Sequence, residues 1–407
     1  MNLPLFIAKR YFLSKKKKNF INVISLIAMV ALAVGSASLI IILSVFNGLE
    51  GLIRSLHNYF DPQLKIEAVE GKSFEVTDKF LSSIRDLEGV DIVTEVIEDN
   101  VYLSYRNSTM VVKLKGVSDN FIDQHRLDER IVQGKLKLHE NGINYAIIGV
   151  GVQYTLGIVN LKDLFALKVY YPNRKAKSIF NPQKLINTKS LLTAGVFAIE
   201  KQYDANYIFA PLDFAVDLMD YDNRRSYLEV KVKDGYSISN VQANIKYLLG
   251  DKFRVLNSDE QHKSLIRAVK MEKFIVFFIF SLIVAILSFN SFFSLTMLAI
   301  DKSKDISVLF SMGANNKLIK RIFFWESIII STVGVVIGLF LGTIFCILQQ
   351  QLGIIKLGMA TSVMENYPVE VQLLDYIYIL VVIVLITVLA AIKPSNLASN
   401  IKILRFI

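Results

Sequence analysis

The chain has 407 residues, 53% of them hydrophobic, with a mean hydropathy of +0.43 and a formal net charge of +10. That apolar share exceeds what a soluble domain usually carries and points to a membrane protein. The basic excess lies at the borders of apolar blocks, whereas the segment from Glu50 to Lys273 is near neutral (31 basic, 30 acidic), so nucleic acid is not expected as a partner.

In chain order, residues 1–18 read as a cytoplasmic amphipathic arm: Leu5, Phe6, Tyr11, Phe12 and Leu13 are interleaved with Lys9, Arg10 and Lys15 to Lys18, as in a helix lying on a lipid headgroup layer. A spanning helix needs about 20 mostly apolar residues. Four blocks qualify, at 19–49, 274–300, 327–352 and 373–392, and the first three contain no Asp, Glu, Lys or Arg. The first resembles a signal peptide at Ala31-Leu32-Ala33, but its apolar run continues through Ile40 to Leu43 and Val45. That is too long for a signal core, so it reads as an uncleaved span. Basic residues flank the arm, the 301–326 loop and the 393–407 tail (Lys393, Lys402, Arg405), which predicts both termini inside and the large segment outside. The expected fold class is therefore an α-helical membrane protein with four transmembrane helices and a large external α+β domain inserted between the first and second.

That external domain, 50–273, is large enough at roughly 220 residues to bury its own core. It has no cysteine; Cys346, in the third block, is read as a small buried hydrophobe. Gln63 to Ala68 alternates like a strand, and Thr77 to Leu87 has helical spacing ending at Gly89. Val90 to Ile97, Val101 to Tyr105 and Thr109 to Lys115 read as strands, as do Phe165 to Tyr171 and Leu191 to Ile199, the last two joined by a long polar excursion. Tyr227 to Val232, Ile238 to Leu249 and Phe253 to Leu256 read strand, helix, strand, giving two similar βαβ-type halves. Glu260 to Lys273 is expected to be helical and to run into the second span.

The 301–326 segment separates the second and third spans, and a short periplasmic loop, 353–372, separates the third and fourth. In the former, Ile306, Val308, Leu309, Phe310 and Met312 form an apolar set, Gly313 suits a helix stop, and Asn315 can cap a second amphipathic helix. Two interfacial helices, or a docking helix for a cytoplasmic partner, both fit this pattern.

Catalytic fragments do not assemble. Gly71-Lys72-Ser73 lacks the earlier glycine of a phosphate loop, since Ile66 stands there, and the Gly149, Gly151 pair meets Tyr154 where a dinucleotide pattern needs a third glycine. His57, His125, His139 and His262 have no partner at metal-ligand spacing, so no metal and no catalytic residue is expected. Uncharged spans argue against a proton- or ion-coupled transporter.

The order of one span, a large external domain and three spans resembles the MacB/FtsX-type ABC permeases, and more closely the LolC/LolE lipoprotein-releasing permeases. Phe6-Ile7-Ala8-Lys9-Arg10-Tyr11 with Phe20-Ile21-Asn22-Val23-Ile24-Ser25, and Ser44-Val45-Phe46-Asn47-Gly48-Leu49-Glu50, are similar to those permeases. So is the run Asp301 to Leu309 closed by Met312-Gly313-Ala314, although Ala390 to Ser395 keeps only the outline of the family's ending. The resemblance implies a non-catalytic subunit with no cofactor of its own, ATP and Mg being held by a partner LolD-like ATPase dimer. It implies docking of that ATPase through Asp305, Ile306, Leu309, Met312 and Gly313. It places a carrier-binding hairpin for a LolA-like lipoprotein carrier at Ile179, Phe180, Asn181, Pro182 and Gln183. A second permease chain, identical or paralogous, is implied.

The function expected on this basis is release of lipoproteins from the inner membrane to a periplasmic carrier, driven by the separate ATPase through the 301–314 helix. A cavity for the acyl chains is expected from Leu39, Leu43, Phe46, Phe274, Phe277 and Phe278, although these also fit a plain lipid-facing surface. The alternatives are a MacB-like exporter of another amphiphile and an FtsX-like transmembrane signalling protein.

Overall fold

The structure is a computed structural model that describes residues 3–13, 20–161, 165–173, 185–356 and 366–399. The arm lysines at 15–18, the hairpin tip 179–183 and the tail residues Lys402 and Arg405 lie outside the described residues. The chain divides into two compact units, one built on Met1–Leu52, Arg267–Gly358 and Met364–Ile407, the other on Ile53–Ile266.

The first unit contains an arm helix, Leu3–Leu13, and most of four long helices: Phe20–Phe60, Lys263–Asp301, Asn316–Leu352 and Leu373–Ser399. Each has an apolar window long enough to cross a membrane. The first has 41 residues and so runs about 60 Å, twice the roughly 30 Å hydrocarbon core. Its apolar run ends near Leu49, but nothing in Glu50–Phe60 breaks the helix. It stops where Pro62 disfavours helical backbone at Asp61.

The four helices share a core of Leu32, Leu39, Ile40, Leu43, Val284, Val335, Leu339, Ile379 and Ile383. The first and third approach most closely along Gly334, Gly338 and Gly342. A Cβ on Gly338 would lie 2.1 Å from the Ala33 carbonyl oxygen, and one on Gly342 would lie 2.4 Å from Ile40 Cγ2. Small residues at every fourth position let two backbones meet where apolar burial between helices adds little driving force.

In the second unit the two β-α-β patterns expected from sequence combine into one layer. Strand Leu64–Ala68, helix Asp78–Arg85 and strand Val90–Tyr105 form the first. Strand Tyr227–Val232, helix Ile238–Leu249 and strand Phe253–Asn257 form the second. The antiparallel spatial order is Phe253–Asn257, Leu64–Ala68, Tyr227–Val232, Val90–Tyr105, the ferredoxin-like interleaving of two β-α-β units. Leu81, Ile84, Val241 and Ile245 cover one face of it.

Sequence alternation breaks near Glu98 and Asn100 and suggested two strands between 90 and 105. The structure has one 16-residue strand, because it changes neighbours rather than ending. Its first half pairs with Tyr227–Val232, and its second half pairs with Ser108–Val117 and Leu167–Pro172. The sheet then continues through Ser108–Val117, Tyr207–Pro211, Ile143–Gly149 and Ile186–Phe197 to Ile131–Gly134. Helix Leu212–Met219 covers this part through Phe214, Ala215, Leu218 and Met219. Gly149 and Gly151 are packing glycines here: a Cβ on either would lie within 2.1 and 2.8 Å of the Asp204 and Ala205 backbone, respectively.

The sheet carries a buried charge triad. Lys115 Nζ stands 2.7 Å from Glu229 Oε1, Arg126 bonds the other carboxylate oxygen, and Lys115 also sits 4.5 Å from the centre of the Phe60 ring. Burial alone would push Glu229 up, but the Arg126 and Lys115 charges outweigh it and hold the carboxyl below its usual range.

Candidate functional site

The segment after the second long helix forms a short helix, Ser303–Ser311. Gly313 ends it with φ +90, and the Asn315 side chain accepts from the Leu318 amide at 2.9 Å to start the third long helix. That helix begins eleven residues before the apolar block, so Glu326, read from sequence as the end of a loop, is a buried helical residue.

The short helix has two unlike stripes. Ser303, Ile306 and Phe310 face inward, where Ile306, 2% exposed, packs with Leu298, Ala299, Ile319, Ile322 and Phe323, while Ile7 and Tyr11 of the arm pack against the same cluster. Lys304, Val308 and Met312 (58% and 79% exposed for the last two) form the outward stripe, with Asp305 beside it. Of the residues expected to dock an ATPase, Asp305, Met312 and Gly313 are exposed, Leu309 is half-buried, and Ile306 is occupied by the chain's own core. Sequence spacing shows two stripes; only the neighbouring helices decide which one is covered.

The motif Ser44-Val45-Phe46-Asn47-Gly48-Leu49-Glu50 holds the segment that follows the third long helix. The Ser44 carbonyl accepts from the Glu370 amide at 2.8 Å. Gly48 leaves no room for a side chain, since a Cβ would lie 2.4 Å from the Pro368 carbonyl oxygen. Asn47 donates to Asp375 Oδ2 at 2.6 Å and to the Glu370 carbonyl at 3.1 Å, and accepts from Lys273 Nζ at 2.6 Å. Lys273 Nζ also lies 3.4 Å from Asp375 Oδ1. Asn47 and Asp375 are nearly fully buried, so this cluster joins the first, second and fourth long helices by charge-assisted bonds in a low-dielectric setting. Sequence reading does not join Asp375 to Asn47 or Lys273. A signal was available: an Asn beside a Gly in an otherwise uncharged run.

Of the six residues expected to line an acyl cavity, three meet in the helix core and three do not join them. Leu39 and Leu43 belong to the four-helix core, with Phe277 packed against it. Phe274 and Phe278 point away, 67% and 59% exposed, and Phe46 is half-buried. At i, i+3 and i+4, Phe274, Phe277 and Phe278 share one broad helical face, and Phe277 lies at its edge, about 100° round from Phe278 and against the core. The apolar window of this second helix is only 11% buried within the chain.

At the proposed hairpin, strands Leu167–Pro172 and Ile186–Phe197 pair antiparallel as far as Pro172 opposite Ile186, so the intervening stretch leaves and re-enters at one point. An apolar cleft of about 340 Å³ lies at its base, lined by Tyr102, Tyr170, Tyr171, Pro172 and Ile186.

Two histidines that sequence reading kept apart also meet. The rings of His57 and His262 stack 3.7 Å apart, and Asp61 Oδ2 lies 2.7 Å from His262 Nε2 and 3.5 Å from His57 Nδ1. Tyr203 Oη lies 2.7 Å from His57 Nδ1 and donates to Asp61 at 3.2 Å. Burial opposes ionisation of Asp61, but its bonds with His262 and His57 prevail and hold the carboxyl well below the usual range. Only the His57–Asp61 spacing of four was visible in sequence.

Comparison with known proteins gives these features a family. Residues 25–248 match the MacB-like periplasmic core domain, and residues 275–403 match the FtsX-like permease C-terminal family. The lipoprotein-releasing system transmembrane protein LolC of Buchnera aphidicola subsp. Schizaphis graminum is 26% identical, over 96% of this chain and 94% of its own. LolE of Haemophilus influenzae is 23% identical (99% and 98% covered), and LolC of Neisseria meningitidis serogroup B is 22% identical (98% and 97%). The chain belongs to the MacB/FtsX family of ABC permeases and is similar along nearly its whole length to the lipoprotein-releasing permeases LolC and LolE.

Proposed function

We propose that this chain is the permease subunit of an inner-membrane ABC complex that takes lipoproteins from the outer leaflet and passes them to a LolA-like periplasmic carrier. Both termini are cytoplasmic in this reading, the domain 50–273 is periplasmic, and a separate LolD-like ATPase dimer hydrolyses ATP. The observation that carries it is the match to lipoprotein-releasing transmembrane proteins over more than nine-tenths of the chain.

In this reading the short helix Ser303–Ser311 transfers the energy. The Lys304, Val308, Met312 stripe has the amphipathic form of a helix seated in a partner's groove. Its other face is bonded by packing to both adjoining long helices through Ile306, so a displacement of the short helix moves them together. The uncovered apolar face of the second long helix is left to a second permease chain beside the cargo path. Acyl chains passing there gain about 0.8 kcal/mol for each CH₂ they keep out of water.

Photocrosslinking in cells tests the reading. A photoreactive residue at Phe46 is expected to give lipoprotein adducts, one at Phe180 carrier adducts, and one at Met312 ATPase adducts. An ATPase adduct without lipoprotein or carrier adducts overturns lipoprotein release while leaving an ABC permease.

A further inference from the structure

We infer that His57, Asp61 and His262 form a binding site for one divalent transition-metal ion of the Zn²⁺ type. Their three ligand atoms all lie within 4.8 Å of one another. A tetrahedral ion with arms of about 2.0–2.1 Å sets its ligands roughly 3.3 Å apart. The two His–Asp separations, 3.5 and 2.7 Å, bracket that value.

The donor set selects the metal. Two imidazoles and one carboxylate suit Zn²⁺, Co²⁺, Ni²⁺ or Cu²⁺, whereas Mg²⁺ and Ca²⁺ prefer all-oxygen shells. The rings stack with planes 11° apart, so their lone pairs lie in separate near-parallel planes, and coordination of one ion turns one imidazole out of the stack. The fourth position falls to water, with the Tyr203 hydroxyl within reach of the same cluster as its hydrogen-bond partner.

A cleft of about 240 Å³ reaches Asp61, lined also by Gln63, Gln124, Arg126, Lys231 and Ser258. Of its two cations, Arg126 shares the Glu229 carboxylate with Lys115, which leaves that triad one net positive charge for the Asp61 carboxylate to offset, and Lys231 lies 3.7 Å from Asp91. His57 stands in the last turn of the first long helix, and His262 immediately precedes Lys263, where the second long helix starts. A bound ion therefore clamps the points where the chain enters and leaves the external domain. Neither the ABC reading nor the family assignment is needed for this site.

The test uses the full chain in lipid nanodiscs, purified without a polyhistidine tag and stripped with EDTA, then titrated with ZnCl₂ alone. One site per chain is expected, with a rise in unfolding temperature that MgCl₂ does not reproduce. His57→Gln and His262→Gln should each weaken binding by more than the roughly 10- to 100-fold that loss of an outer-shell partner costs, while unfolding cooperatively in EDTA. Titration of the unmutated chain with Co²⁺ should give the visible absorption of a four-coordinate ion, a reading that stands even if a variant fails to fold. Absence of that band, Zn²⁺ binding unchanged in both variants, or an equal response to Mg²⁺ each overturns the site.

Discussion

Lys273 donates its ammonium to the side-chain oxygen of Asn47 at 2.6 Å, joining the second long helix to the first beside the buried carboxylate of Asp375. Asn47 acts as a relay, since its amide group simultaneously bonds Asp375 at 2.6 Å. Lys273→Met leaves Asp375 buried without its cation and should cost about 2–4 kcal/mol, the usual penalty for breaking one side of a buried pair reduced for partial exposure of the lysine. Adding Asp375→Asn removes the orphaned charge and should restore most of that loss. Thermal unfolding of the single and double variants in micelles checks this. A double variant less stable than Lys273→Met would show that the carboxylate is solvated.

The two stripes of the Ser303–Ser311 helix give separable outcomes. Met312→Asp changes a residue 79% exposed and should leave folding intact while reducing ATPase co-purification at least about tenfold. Ile306→Ala opens a cavity in the inward cluster and should cost about 2–4 kcal/mol in stability. Measuring co-purification and unfolding temperature on both variants distinguishes docking from scaffolding. If Met312→Asp and Val308→Asp both retain the ATPase, docking lies elsewhere.

The parts of this fold that sequence revealed are those governed by local pattern. Apolar block length marked the long helices, two-residue alternation found Tyr227–Val232, and helical spacing found Ile238–Leu249, the last two at their observed bounds. What stayed hidden depends on partners remote in sequence. The strand at Tyr207–Pro211 was missed because it is buried on both faces and has no alternation to show. Ile306 looked available because its cover, Ile319 and Phe323, belongs to the next helix. His262 meets Asp61 across 201 residues of chain, a distance no spacing rule spans.

The glycine stripe of the third long helix makes a steric prediction. Gly338→Leu must displace the Ala33 carbonyl, which would lie 2.1 Å from the new Cβ, and the Ser36 hydroxyl at the same distance. Separation of the first and third helices should cost about 1–3 kcal/mol, as overpacking usually does. A cysteine pair placed across this contact should lose its oxidative crosslink in the Leu variant. An unchanged crosslink yield would mean the helices tolerate a wider spacing.

Asp204 gives a pH dependence of defined sign. Burial pushes its carboxyl up to about 6, against the backbone hydrogen bonds it accepts, among them one from the Ile199 amide at 2.8 Å. A group whose pKa is raised on folding binds its proton more tightly in the native state. Its stabilising contribution is therefore complete below the ordinary Asp value of about 3.9, and is lost as pH rises through about 6. Asp204→Asn keeps an oxygen acceptor for Ile199 and carries no charge. The variant should be more stable than the parent at pH 8, by about 1 kcal/mol once solvent screening is allowed for, with the difference closing by pH 4. Asp61 titrates in the opposite sense but is present in both chains, so it cancels from the difference. Unfolding of the two proteins at pH 4, 6 and 8 measures it; a variant less stable than the parent at pH 8 would show that the ionised carboxylate is the favoured native form.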